Sequence, residues 1–473
     1  YNRFFVVVVM DYLKESMVMG TALKSNIGEK NLLFSNTDLR KLIFPLIIEQ
    51  LLSIMVGMAD SIMVASVGEA AVSSVSLVDS INILLFYIFS SVATGGAIVA
   101  GQYLGSKRPD DACKTCDQLL NLTIVLSLAV MAIMYLGRGF ILNGLFGRIE
   151  PDVKAYANTY LLIVFAAIPF LAIYNCGAAM FRAMGNTKIS MNTSILMNAI
   201  NVIGNAILIY GLHRGVEGVA IPTLVSRMIA AFVIIRLLKN QTLNIHLSRK
   251  YSPKLDKDMI KRILRIGIPN GVENSLFQLG KIMLMSFISG LGTAAVAANA
   301  VGNVISTFQV MPGLSMGFAV VTVISRCVGA GSYDQARYYT KKLLGLTYIM
   351  HIVLNIAIFL ILPFIIKAYG LSAETGILAE EILTMHGFFA LLIWPIAFTL
   401  PNTLRASNDA KFTMIVSVAS MWIFRIGFGI LMGSVFNMGV IGVWIAMFID
   451  WFVRSIFFVI RYRKGKWTQV KII

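Results

Sequence analysis

The sequence predicts an all-α membrane protein of twelve transmembrane helices, arranged as two six-helix bundles related by a pseudo-twofold along the membrane normal. Three observations predict it. Of 473 residues, 58% are hydrophobic and only 13% are charged, about half the charged fraction of a soluble domain, and the mean hydropathy is +0.79. So few charges cannot cover a water-soluble protein of this length, and lipid must be the solvent for most of the surface. Apolar runs of bilayer-spanning length recur along the chain, and its second half repeats its first.

The runs lie near 41–66, 71–101, 118–137, 157–181, 189–211, 216–239, 264–289, 296–325, 343–367, 380–404, 411–433 and 438–460, each bounded by charges or by Gly and Pro clusters. Ahead of them, the apolar stretch Phe4 to Met10 is too short to span and makes a poor signal peptide, so residues 1–39 are expected to form a cytoplasmic tail.

Charge sorting orients the helices. Alternate connections put Lys24, Lys30, Arg40, Lys41, Lys107, Arg108, Lys114, Arg182, Lys188, the basic segment 236–265 and the residues from Arg461 to Lys471 on one side. The other side receives Arg138, Arg148, Lys154, Arg214 and Lys367. The basic side is cytoplasmic by the positive-inside rule, which expects both termini inside and a multi-pass protein of the cell membrane. The formal charge of +17 is thus an orientation signal, and no nucleic-acid partner is expected. The expected organisation is an N-lobe over 40–239, a cytoplasmic linker over 240–263, a C-lobe over 264–462 and a tail over 463–473, working as a monomer.

A shift of 224 residues superposes 45–112 on 269–336 without a gap. Pro45 meets Pro269, Glu49 meets Glu273, Gly105 meets Gly329 and Asp110 meets Asp334; later Gly215-Val-Glu-Gly-Val meets Gly439-Val-Ile-Gly-Val. Shared Pro, Glu, Gly and Asp in so apolar a chain mark a true duplication. Two six-span repeats that both start inside are the plan of parallel-repeat secondary transporters, with a substrate site between rocking halves. No Gly-x-x-x-x-Gly-Lys-Ser/Thr loop occurs, so an ion gradient must supply the energy. No His-Glu-x-x-His occurs either, and enzyme activity is not expected. Cys113-Lys-Thr-Cys116 lacks a second Cys or His pair for zinc, so the four cysteines read as unpaired thiols.

Several segments carry a family likeness. Pro45 through Asp60 to Gly68, Gly101-Gln-Tyr-Leu-Gly105 with Ala112, Phe181-Arg-Ala-Met-Gly-Asn-Thr-Lys188 and its echo Leu404-Arg-Ala-Ser-Asn-Asp-Ala-Lys411 resemble the multidrug and toxic compound extrusion (MATE) family over about residues 40–460. The Gly-x-x-x-Asp-Arg signature of the major facilitator superfamily is absent from the helix 2 to 3 loop. The resemblance implies an exporter of amphipathic, cationic small molecules by alternating access. The alternatives are a lipid or glycolipid flippase of the same superfamily, and a sensor or channel that uses the fold without coupling.

Ionisable groups at membrane depth cost about 2.5–3.5 kcal/mol each on insertion scales, which makes each a functional candidate. They are Glu49, Asp60, Asp79, Arg227, Glu273, Lys281, Arg425, Asp450 and Arg454. Asp60 lies six residues, roughly 9 Å, below the outer end of helix 1. Asn201 and Asn205, four apart on one face of helix 5, and Thr223 of helix 6 fall near the same level. Pro222 has no N–H for the carbonyl of Gly218, which frees that oxygen for a cation. A carboxylate among neutral oxygens suits Na⁺, and a lone desolvated carboxylate can carry H⁺, so either could couple transport. No metal beyond Na⁺ and no cofactor is expected.

The family resemblance implies the same four positions, with Asp in one branch where this chain has Asn205. A second branch binds its cation through a helix 7 Glu, matched by Glu273, and a helix 10 Asp that falls near Trp394 and is missing. Glu49 and Glu273, at symmetric positions, and Asp79, near the level of Asp60, are candidates for substrate binding or proton relay. Arg425 falls at the repeat position of Asn201, and a structural Arg425–Asp450 ion pair is expected to fill the corresponding space. Lys281 and Arg227 have no assignable partner. The 25 Met residues and the aromatic 11% of the chain suit an adaptable cavity without singling out a residue.

Overall fold

The computed structural model describes residues 32–147, 149–249 and 252–470. Of the tail expected over 1–39, residues 1–31 lie outside it, as do Arg148, residues 250–251 and the last three residues. Among the described residues there is no strand. Twelve long helices, two of them broken, follow in order among the described residues: α1 Asn36–Ala65, α2 Glu69–Gly105, α3 Pro109–Leu136, α4 Pro151–Ala166 with Ile168–Ala183, α5 Thr187–Gly211, α6 Glu217–Leu238, α7 Lys257–Ser289, α8 Thr293–Gly329, α9 Tyr333–Ala368, α10 Ala373–Leu392 with Pro395–Ala406, α11 Ala410–Val435 and α12 Gly439–Arg463.

Ten of these are long and apolar enough to cross a membrane, and α4, bent by 44°, makes an eleventh. The twelfth, α7, carries Lys261, Arg262, Arg265, Glu273 and Lys281 along its 33 residues, which dilutes its apolar character. The bend in α4 falls before Pro169, whose ring removes a helical donor and crowds the preceding turn. In α10 the break at Ile393 precedes Pro395 for the same reason. Large apolar side chains such as Phe44, Ile62, Phe232, Leu360 and Phe364 point outward and exposed, as a lipid-facing surface requires.

The duplication is visible in the backbone. Helices α2 and α8 have the same length of 37 residues, and their bounds differ by the same 224 positions. Gly68 and Gly292 precede them with φ of 134° and 104°, left-handed turns that a side chain would strain. The i→i+5 (π) segments Ile207–Gly211 of α5 and Leu431–Val435 of α11 are separated by the same interval. A further π segment, Met421–Gly427, exists in α11 alone.

The chain forms two compact units, Phe44–Asn274 and Ser275–Ile473 with Tyr1–Ile43, so both boundaries fall inside helices, α1 and α7. In the first unit, Gly95 of α2 meets the backbone of Ile263 and Gly267 in α7 so closely that a Cβ would lie 2.6 Å from the Ile263 carbonyl. The basic connection after α6 is fastened to α3. Gln118 donates to the carbonyl of Lys254 at 2.9 Å, Asn121 donates to that of Ser252 at 2.8 Å, and the Lys114 ammonium meets Asp256 at 2.5 Å. That ammonium, with backbone N–H donors, holds the half-buried Asp256 carboxyl below its usual range.

Candidate cation site

Glycine 204 explains how α5 and α6 bring their polar residues together. A Cβ there would lie 2.7 Å from Pro222 Cβ, so the two backbones touch at this level only because the side chain is absent. Asn205, the next residue, meets α1, and Asn201, three residues before, meets α6. Asn205 Nδ2 donates to Asp60 Oδ1 at 2.7 Å, and Asn201 Nδ2 donates to Thr223 Oγ1 at 3.1 Å. Turning the Asn201 amide gives a fuller network, in which its nitrogen donates to Asp60 Oδ1 at 2.9 Å and its oxygen accepts from Thr223 at 3.1 Å. All four residues singled out by depth and spacing therefore share one cluster.

The cluster has capacity to spare. The Asn205 Oδ1 oxygen is buried and accepts no hydrogen bond among the described residues. Pro222 sits inside α6 and sends no N–H back to Gly218. No group of three or more His, Cys, Asp or Glu that could hold a metal occurs among the described residues. What the cluster offers is one carboxylate with amide, hydroxyl and carbonyl oxygens, a donor set for a proton or a monovalent cation rather than a transition metal.

Asp79 stands within electrostatic reach of Asp60, and its Oδ1 accepts from Asn82 Nδ2 at 3.0 Å and from the buried Tyr160 hydroxyl at 3.1 Å. Arg227, left without a partner by sequence, interacts electrostatically with Asp60, Asp79 and Tyr160. Its Nη1 is buried without a hydrogen-bond acceptor among the described residues. Arg227 lies one turn after Thr223 on α6, and that i, i+4 spacing was the available signal. With all three groups ionised, two carboxylates and one guanidinium give the cluster a formal charge of −1, which one proton or one monovalent cation neutralises.

The remaining candidates sit elsewhere. Glu49 is engaged with Arg182, whose Nη1 lies 3.2 Å from Oε1, and with the Ser190 hydroxyl, which donates to Oε2 at 2.7 Å. Glu273 is buried on α7, apart from the Asp60 cluster in the same unit, and its neighbour Asn274 donates to Ser91 Oγ at 3.1 Å.

In the second half the expected Arg425–Asp450 ion pair does not form. Asp450, fully buried, is taken by Arg454 of the same helix, whose Nη2 lies 2.7 and 2.8 Å from its two oxygens, and Ser420 Oγ donates to Oδ1 at 2.7 Å. Residues four apart on one helix meet without any helix rearranging, so the local partner occupies both carboxylate oxygens first. Arg425 instead lies over the Phe277 ring, 5.1 Å from its centroid, and Lys281 lies over the same ring at 5.7 Å. Neither cation has a hydrogen-bonded carboxylate among the described residues. A cation–π contact returns about 0.5–2 kcal/mol, less than the about 2.5–3.5 kcal/mol an ionised residue costs at membrane depth.

The MatE family model matches this chain twice, over residues 45–207 and 269–431, again 224 apart and together more than half its length. The chain belongs to the MatE family. Its members are transporters, and the related MATE proteins are multidrug efflux proteins of the membrane. An uncharacterized transporter of Bacillus subtilis, YisQ, is 27% identical over 97% of this chain and 99% of its own. A probable multidrug resistance protein NorM of Thermotoga maritima is 23% identical over 92% and 94%. The fold matches an outward-facing multidrug resistance MATE family transporter of the MOP superfamily at a TM-score of 0.85 and 20% identity, covering 92% of this chain and 96% of that one. None of these relatives favours the flippase alternative.

Proposed function

We propose that this MATE protein is a secondary active exporter of the cell membrane, with both termini cytoplasmic, that takes up one proton at the Asp60 cluster for each amphipathic molecule it moves outward by alternating access. One observation carries the choice of ion. The Asp60 carboxylate is met by an amide N–H of Asn205 and interacts electrostatically with the Arg227 guanidinium, so a donor and a positive charge act on it where Na⁺ would require oxygen ligands. A proton requires only that carboxylate. Its O–H then donates to an amide oxygen once the Asn205 side chain turns, and Asn205 Oδ1 is the buried acceptor that stands ready.

Protonating Asp60 takes the cluster from −1 to zero and removes its own attraction to Arg227, which stays attracted to Asp79 alone, and that gives helices α1 and α6 a reason to change position. The test is efflux from proteoliposomes under a pH gradient and, separately, a Na⁺ gradient. The pH gradient should drive transport in the parent protein and not in Asp60→Asn. Parental rates in Asp60→Asn, or transport driven by Na⁺ alone, would refute proton coupling at this site.

A further inference from the structure

We infer that Lys281, Arg425 and the Phe277 ring form a binding site for an organic anion, a carboxylate or sulfonate attached to a flat apolar body, and that this is the chemistry of the exported molecule. The inference rests on the export reading above and adds the charge class of its substrate.

Three observations carry it. Two cations share one aromatic ring, and each also feels the other's like charge. Arg425 is only 9% exposed, its Nε is buried without an acceptor, and it makes no hydrogen bond among the described residues. The charged groups around it are Lys281, Arg454, Asp450 and His386. Asp450 and Arg454 cancel and His386 hydrogen-bonds Gln309, so the neighbourhood carries an uncompensated charge of +2. Arg425 is buried and Lys281 is exposed beside it, so a ligand of opposite sign can reach the pair and complete the buried guanidinium.

The backbone supports the assignment independently. Arg425 lies in the π segment Met421–Gly427, which has no counterpart at the repeat position in α5, and single π turns inside α-helices mark functional sites with high frequency. The rest of the register is retained: Gly429 approaches Leu284 Cδ2, at the positions that Asn205 and Asp60 hold in the first half. The duplicated element thus binds a positive charge in one half and a negative one in the other. The guanidinium fork takes a carboxylate or sulfonate, the mobile ammonium of Lys281 supplies a second contact, and Phe277 offers a face to a flat ring.

The charge class has an energetic consequence. Exporting a monocation for one incoming proton moves no net charge, whereas exporting a monoanion for one proton moves two charges in the direction that an inside-negative potential drives.

The experiment is equilibrium binding of two matched probes, 2-naphthoate and 2-naphthylmethylammonium, to the full chain in nanodiscs without any gradient, so that failure of proton coupling cannot mask the result. The parent protein should bind naphthoate at least tenfold more tightly than the ammonium probe. Lys281→Met and Arg425→Gln should each weaken naphthoate at least tenfold, while Arg425→Lys, which keeps the charge, loses less; unfolding midpoints check that the variants are folded. In proteoliposomes, a potassium diffusion potential, negative on the cytoplasmic side, should accelerate naphthoate efflux. Equal or tighter binding of the ammonium probe, or naphthoate binding unchanged in folded Lys281→Met and Arg425→Gln, overturns the assignment.

Discussion

Replacing Gly204 by Ala tests whether the contact between α5 and α6 positions the Asp60 cluster. The added Cβ would lie 2.7 Å from Pro222 Cβ and 3.0 Å from its Cγ, against a ring that cannot rotate away. Restoring ordinary van der Waals contact requires the helices to separate by about 0.7 Å or more. The Asn201–Thr223 bond of 3.1 Å spans this contact and would open to about 3.8 Å, beyond hydrogen-bonding distance. Overpacking of this kind costs about 1–3 kcal/mol. The expected outcome is a lower unfolding midpoint in detergent together with proton-driven efflux reduced at least tenfold. Gradient-free substrate binding should remain, because Lys281 and Arg425 belong to the other compact unit. A Gly204→Ala protein with parental stability and parental coupled efflux would refute the claim that this close approach builds the site.

The other predictions concern charges. Arg227→Met removes the positive charge beside Asp60 and Asp79 and leaves two carboxylates among neutral oxygens, so efflux driven by a Na⁺ gradient should appear in that variant; flux measured with Na⁺ and pH gradients applied separately checks it. Arg454→Met strands the fully buried Asp450 and should destabilise by about 3–5 kcal/mol, whereas the double change Asp450→Leu with Arg454→Met should recover most of that loss in chemical denaturation. Asp117→Ala breaks the bonds from α3 to Ser248, and limited proteolysis should then cut the 240–256 connection faster. Asp256 is held below its usual pKa by Lys114, so its stabilising contact is complete above the unfolded carboxylate value near 4 and is lost as pH falls through the depressed folded value. Proteolytic protection of that connection should follow the same fall.

Much of the architecture follows from local sequence. Each apolar run must satisfy its own backbone hydrogen bonds in lipid, so run length alone specifies a helix, and the interval of 224 recurs in the lengths of α2 and α8 and in the π segments that end α5 and α11. The bend of α4 and the break in α10 were not read, although Pro169 and Pro395 stand in the sequence, because a proline within an apolar run signals a turn, a kink or a tolerated irregularity without saying which. The basic connection read as a cytoplasmic linker is bonded to α3 by Lys114, Gln118 and Asn121, contacts more than 130 residues apart that no local pattern encodes.

The sequence by itself determined the solvent, the helices, the duplication and the identity of the groups that share the Asp60 cluster, because depth and helical spacing are one-dimensional quantities. Only the tertiary structure decided which charges meet. Arg227 joined Asp60 and Asp79, Glu49 joined Arg182, and Arg454 took Asp450 and left Arg425 beside Lys281. Depth sets how far along the membrane normal a side chain lies, but pairing depends on the rotation of each helix about its own axis, which is set by packing against neighbours distant in the chain.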